Sequence, residues 1–106
     1  MDSIIRGTNA TIQIKIKEDI DLSQLSAVEM CIYQAGKKIV KPQNDLILDA
    51  EARTITYVTT QEESFSLAPN RNVEITAWGL LDGLAFETRP VVTAKVENSR
   101  RTEVIT

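Results

Sequence analysis

The stretch VEITAWGLLDGL, Val73 to Leu84, decides the fold. Val73, Ile75 and Ala77 alternate with Glu74, Thr76 and Trp78. That period of two is the mark of a strand with one buried face. Asp82-Gly83 then separates two apolar runs. A tight hairpin needs positive φ at both central positions, which Asp-Gly tolerates. Leu84 to Val96 reads as the returning strand, with Val92, Ala94 and Val96 resuming the alternation. Pro90 has no N–H to give a ladder, so it marks a bulge or an edge within that strand.

The same period recurs upstream. In RGTNATIQIKI, Arg6 to Ile16, the residues Ile12, Ile14 and Ile16 fall on one face of a strand expected over Ala10–Lys17. A second strand is expected over Ala27–Gln34, with Val28, Met30 and Ile32 on one face and Glu29, Cys31 and Tyr33 on the other. Ala35-Gly36-Lys37 turns the chain into a short strand over Lys38–Lys41, which Pro42 ends. Leu46–Leu48 and Arg53–Thr59 form another hairpin around Asp49-Ala50-Glu51-Ala52. Thr60-Gln61-Glu62-Glu63 matches a capping box, in which the threonine hydroxyl and the glutamate each satisfy the other's backbone N–H. One helical turn is expected there, crossing between two sheets. The tail over 98–106 is polar, apart from Val104-Ile105. About seven short strands with almost no helix predict an all-β, immunoglobulin-like antiparallel sandwich spanning 1–106 as one domain. The cysteine–tryptophan–cysteine signature of antibody domains is absent.

Composition narrows the chemistry. The 106 residues carry a net charge of −3, with 42% hydrophobic and 25% charged residues, an ordinary globular balance. Acids and bases are spread evenly, 8 and 7 over residues 1–53 and 7 and 5 over 54–106. No basic face suited to a phosphate backbone is expected, and no nucleic-acid partner. There is no long apolar run for a membrane helix and no signal-peptide pattern at the N-terminus, so folding in a reducing cytoplasm is expected. Asn9-Ala10-Thr11 matches a glycosylation sequon and is read as incidental on that basis.

Histidine is absent from the sequence. That removes imidazole bases and the triads built on them. Cys31 is the single cysteine, so no intrachain disulfide or thiolate cluster forms. It is read as a small strand residue. Glu62-Glu63 belongs to the helix start. Asp45, Asp49 and Glu51, like Asp19 and Asp21, lack the spacing of a calcium loop and read as solvated turns. Gly36-Lys37-Lys38 lacks the phosphate-loop spacing. No catalytic residue, metal ligand or cofactor is expected, and the chain is read as a non-enzyme. The informative residue is Trp78. If Val73, Ile75 and Ala77 face the core, its indole faces away and is a candidate contact anchor; the alternatives are cover by a loop or the tail, or a bulge that flips the register. Tyr33 shares that face. Lys37, Lys38 and Lys41 cluster on one hairpin, where lysines on an edge strand block unwanted pairing.

The order of these pieces resembles small structural proteins of phages and prophages of Firmicutes. The matching pieces are Arg6-Gly7-Thr8 before a strand, DIDLSQLS over Asp19–Ser26, Gln34-Ala35-Gly36-Lys37, Thr60-Gln61-Glu62-Glu63, Val73-Glu74-Ile75 with Asp82-Gly83, and Val96-Glu97-Asn98. They span nearly the whole chain. The chain is also similar to the N-terminal domain of phage baseplate upper proteins, although no coiled coil or receptor-binding part follows here. The resemblance implies a virion- or tail-associated protein made in the host cytoplasm. It would bind other virion or tail proteins, work as symmetric copies, and use neither nucleic acid nor membrane. The candidate interface comprises Trp78, Tyr33, Lys37, Lys38, Lys41, Pro90, Val104 and Ile105, with Arg6-Gly7-Thr8 as a turn or docking segment. The alternative is an immunoglobulin-like module recognising a carbohydrate or host surface.

Overall fold

The computed structural model describes residues 3–88 and 92–105. Its strands are β1 (Ser3–Ile5), β2 (Thr11–Lys15), β3 (Leu25–Gln34), β4 (Lys37–Pro42), β5 (Ile47–Asp49), β6 (Thr54–Val58), β7 (Asn72–Leu81), β8 (Leu84–Glu87) and β9 (Val92–Glu97). A single α-helical turn, α1 (Gln61–Phe65), lies between β6 and β7. Six strands form one sheet in the order β1-β9-β7-β3-β4, with β8 also paired to β7. The other three form β2-β6-β5. In immunoglobulin terms β9, β7, β3 and β4 are strands G, F, C and C′, and β2, β6 and β5 are B, E and D. The all-β sandwich read from the alternation is therefore the fold.

Two features differ from the sequence reading. β1 runs parallel to β9, with Ser3 opposite Lys95 and Ile5 opposite Glu97. A three-residue strand is too short to show a period, and its partner lies at the other end of the chain. The returning strand after Asp82-Gly83 is also two strands, both borne by β7: β8 along Trp78–Leu81 and β9 along Asn72–Ile75. Pro90 lies outside the described residues.

The core joins both sheets. Ile12 and Ile14 of β2 and Ile55 and Tyr57 of β6 pack against Val28, Met30 and Ile32 of β3 and Val73, Ile75 and Ala77 of β7. Ile4 and Val96 close the end near β1. Each aliphatic side chain taken fully out of water stabilises the fold by about 1.5–3 kcal/mol before entropy is counted. The turns follow their chemistry. Asp82 and Gly83 have φ of 51° and 80°, and Ala35 and Gly36 have 47° and 87°, so both hairpins close with positive φ at each central residue. Alanine is an unusual choice for such a position, since its Cβ crowds the following carbonyl.

Candidate functional site

The outer face of the six-stranded sheet is built by the residues that alternate with the core. Register places Glu29 of β3 between Pro42 of β4 and Trp78 of β7, and Trp78 beside Glu87 of β8. One step along, Leu80 lies opposite Ser26 and Ala85. In the other direction Cys31 lies between Val40 and Thr76, then Tyr33 between Lys38 and Glu74. Trp78 therefore sits on the face away from the core, half-buried, and its Nε1 donates to Glu29 Oε1 at 2.9 Å. Tyr33, Val40 and Leu80 on the same face are each about 40% exposed.

A β-bulge shapes this face. The β3–β7 register shifts between Ser26 and Glu29, and Ala27 there has φ of 52°. A bulge bends its strand and re-aims side chains. Gly79 lets β7 close against it: a Cβ there would stand 3.0 Å from Ser26 O and 3.2 Å from Val28 Cγ2. Beside the bulge lies an open groove of about 570 Å³ lined by Ala27, Trp78, Leu80, Ala85, Phe86 and Glu87. The opposite face of the sandwich differs. Thr11, Gln13, Lys15 and Thr56 dominate it with Ile47 and Val58, and among the described residues it carries no aromatic ring.

The three lysines stand on β4, an edge of its sheet, as lysines guarding an edge should. They do not act as one patch. Lys38 is on the outer face opposite Tyr33. Lys37 Nζ donates to Ser66 O at 3.0 Å. Lys41 forms an ion pair with Glu63 and lies 5.4 Å from the Tyr57 ring centroid. Tyr57 also donates its hydroxyl to Glu63. Burial pushes the Glu63 carboxyl up, but hydrogen bonds from Lys41, the Thr60 N–H and Tyr57 outweigh it and hold the carboxyl below its ordinary range. The bond to Glu63 holds Lys41 charged to higher pH than usual. The Tyr57 hydroxyl is pushed up by burial and by Glu63. Two of the three lysines are thus engaged within the chain.

Arg6-Gly7-Thr8 is an internal corner. Gly7 N donates to Ser64 Oγ at 2.9 Å, and that hydroxyl donates to Thr8 O at 2.8 Å. Thr59 Oγ1 donates to Thr8 O at 3.1 Å and accepts from Ala10 N at 3.0 Å. Gly7 has φ of +80°, and a Cβ there would stand 2.3 Å from the Phe65 ring. The guanidinium groups of Arg6 and Arg101 lie 5.9 and 5.7 Å from that ring's centroid. The tail is held by the same corner. Arg101 Nη2 donates to Gly7 O at 2.8 Å, and the Gln61 amide exchanges bonds of 2.7 and 3.0 Å with the backbone of Ile105. The Ile105 side chain remains 63% exposed and that of Val104 37%.

The capping box expected at Thr60–Glu63 is present with both of its bonds. Sequence reasoning missed Ser64, Phe65 and Arg101, whose roles arise only when chain segments far apart in sequence meet. It also missed Leu84, 74% exposed just past the Asp82-Gly83 turn. Alternation marks Leu84 as apolar but does not tell that the core has ended below it. Cys31 is buried on the outer face, and burial raises its thiol pKa above the ordinary value, with Lys38 acting against and Glu87 with that shift. A thiol held protonated is a poor nucleophile. Among the described residues no group of three or more acidic or thiol side chains is placed to hold a metal ion. No helix among them is long and apolar enough to cross a membrane.

No family model matches the chain, and no significant similarity to a curated protein or to a solved structure was found.

Proposed function

We propose that this chain is a non-catalytic structural or assembly protein of a phage or prophage particle, associated with the virion, tail or baseplate. It works as symmetric copies through protein–protein contacts. The observation that carries the contact role is the outer face of the six-stranded sheet, where Trp78, Leu80, Tyr33 and Val40 stand on a surface the core does not use. Aromatic residues at the centre of a contact patch contribute most of the energy of such interfaces. The phage setting is supported by the order of sequence motifs from Arg6-Gly7-Thr8 to Val96-Glu97-Asn98. The absence of histidine from the sequence and the protonated, buried Cys31 agree with packing rather than chemistry as its mode of action.

Trp78→Ala tests the contact role. The indole is half-buried and its main polar bond is to an outer-face glutamate. The variant is expected to lose incorporation into particles while its thermal midpoint falls by only a few degrees. Full incorporation of a folded variant would remove Trp78 from the interface.

A second reading is favoured by the groove itself, in which the Trp78 indole, bonded to Glu29 at its edge, stands beside Glu87. An aromatic plate with flanking acceptors suits a sugar ring. A glycan array separates the two readings: saturable binding that Trp78→Ala abolishes would favour the carbohydrate module.

A further inference from the structure

The outer edge of β8 is open, and its hydrogen-bonding pattern matches itself. Thr88 N donates to Ala77 O at 2.8 Å, which fixes the phase of the β7–β8 ladder. Alternate residues of an antiparallel strand bond to the same side. Leu84 and Phe86 therefore bond to β7 with Thr88, while the N–H and C=O groups of Ala85 and Glu87 point outward. Among the described residues no backbone partner reaches them. The end strands of the two sheets are guarded in different ways: β4 carries Lys37, Lys38, Lys41 and Pro42, β2 carries Lys15, and β1 and β5 are only three residues long. β8, Leu84-Ala85-Phe86-Glu87, has no lysine and no proline. It is flanked by Leu80, 39% exposed, and begins with Leu84, 74% exposed. An apolar edge of this kind is a template for another strand.

We infer that β8 pairs with β8 of a second copy of this chain, antiparallel about a two-fold axis, joining two six-stranded sheets into one. The occupant follows from the pattern. In the register with Phe86 opposite its own counterpart, Ala85 of each copy meets Glu87 of the other. All the outward groups are then used, in four backbone hydrogen bonds, and the two Phe86 rings share one face across the axis. The glutamates stand opposite alanines rather than each other. A four-residue ladder is a small contact, so the pair forms most readily where other contacts already hold copies close together. This inference rests on the reading that the chain acts through protein contacts, and particle association can stand without it.

Sedimentation of the full chain over a wide concentration range tests the pairing. A concentration-dependent dimer is expected. Ala85→Pro removes one outward N–H per copy and no bond to β7. It should weaken dimerisation about a hundredfold, two backbone bonds at about tenfold each, with the circular dichroism of the folded chain retained. A register test covers the case in which the proline variant fails to fold. In a Cys31→Ser background, Ala85→Cys mixed with Glu87→Cys should oxidise to a crosslinked dimer, because directly opposed bonded residues lie about 5.5 Å apart between Cα atoms. Either variant alone places its cysteines on a diagonal, too far to join. A wild-type chain that stays monomeric at the highest concentration it tolerates overturns the pairing. So does a dimer that a folded Ala85→Pro leaves unchanged, or a mixture that gives no crosslink.

Discussion

Gly7 and Glu63 show how single residues hold the end of the sandwich together. At Gly7 the backbone has positive φ and the Phe65 ring occupies the place of a side chain. Gly7→Ala should therefore destabilise the fold by about 2–4 kcal/mol, from the strained backbone plus the displaced ring. The urea midpoint measures it, and an unchanged midpoint would show that the corner yields freely. Glu63 makes stability depend on pH. Its folded carboxyl is held below the ordinary range, so its contribution is complete above the ordinary glutamate pKa of about 4.3 and is lost as pH falls through the folded value. Lys41 and Tyr57 are both raised, so their contributions are complete below their ordinary values of about 10 and are lost as pH climbs past them. Glu63→Gln should cost about 1–2 kcal/mol near neutral pH and flatten the acid limb of the stability curve. Equal acid slopes in the two proteins would remove Glu63 from that role. Sequence made half of this residue's work legible. The Thr60–Glu63 spacing foretold the capping box, but Tyr57 and Lys41 reach the same carboxylate from two strands of different sheets, which no local pattern records.

Strands were legible wherever a period of two ran for five residues or more, as in β2, β3, β6 and β7, because one buried face imposes that alternation directly. β1 was not legible, since three residues show no period and its parallel pairing with β9 is fixed by the folded whole. That the returning strand would be two, β8 and β9, was not legible, because each is fixed by its pairing along a different part of β7. Ala35 has φ of 47° in the β3–β4 hairpin, next to Gly36. Ala35→Asn gives that turn the Asn-Gly pair it favours and should stabilise the protein by about 1 kcal/mol. Thermal denaturation checks it, and a lowered midpoint would mean the alanine side chain is needed where it is. The lysines make a related point. Their place on an edge was readable from the hairpin, but alternation sends Lys37 and Lys41 to one side of β4 and Lys38 to the other, so a cluster in sequence is divided in space.

For the whole molecule the two ends and two faces of the sandwich have different work. The corner of Arg6-Gly7-Thr8, α1 and the tail is closed by hydrogen bonds within the chain. The outer face around Trp78 and the β8 edge leave apolar groups and backbone bonds unused at the other end. β2 follows this division: Ile12 and Ile14 are core, and the Arg6-Gly7-Thr8 segment before it is a structural corner. Association with the particle is measured by quantitative mass spectrometry of purified particles, after infection or induction of the host, with antibody labelling of the same particles. A structural role in the particle requires this chain at a fixed copy number per particle and a label at one place on it. Particles that lack the chain while infected cells contain it would contradict a structural role in the virion.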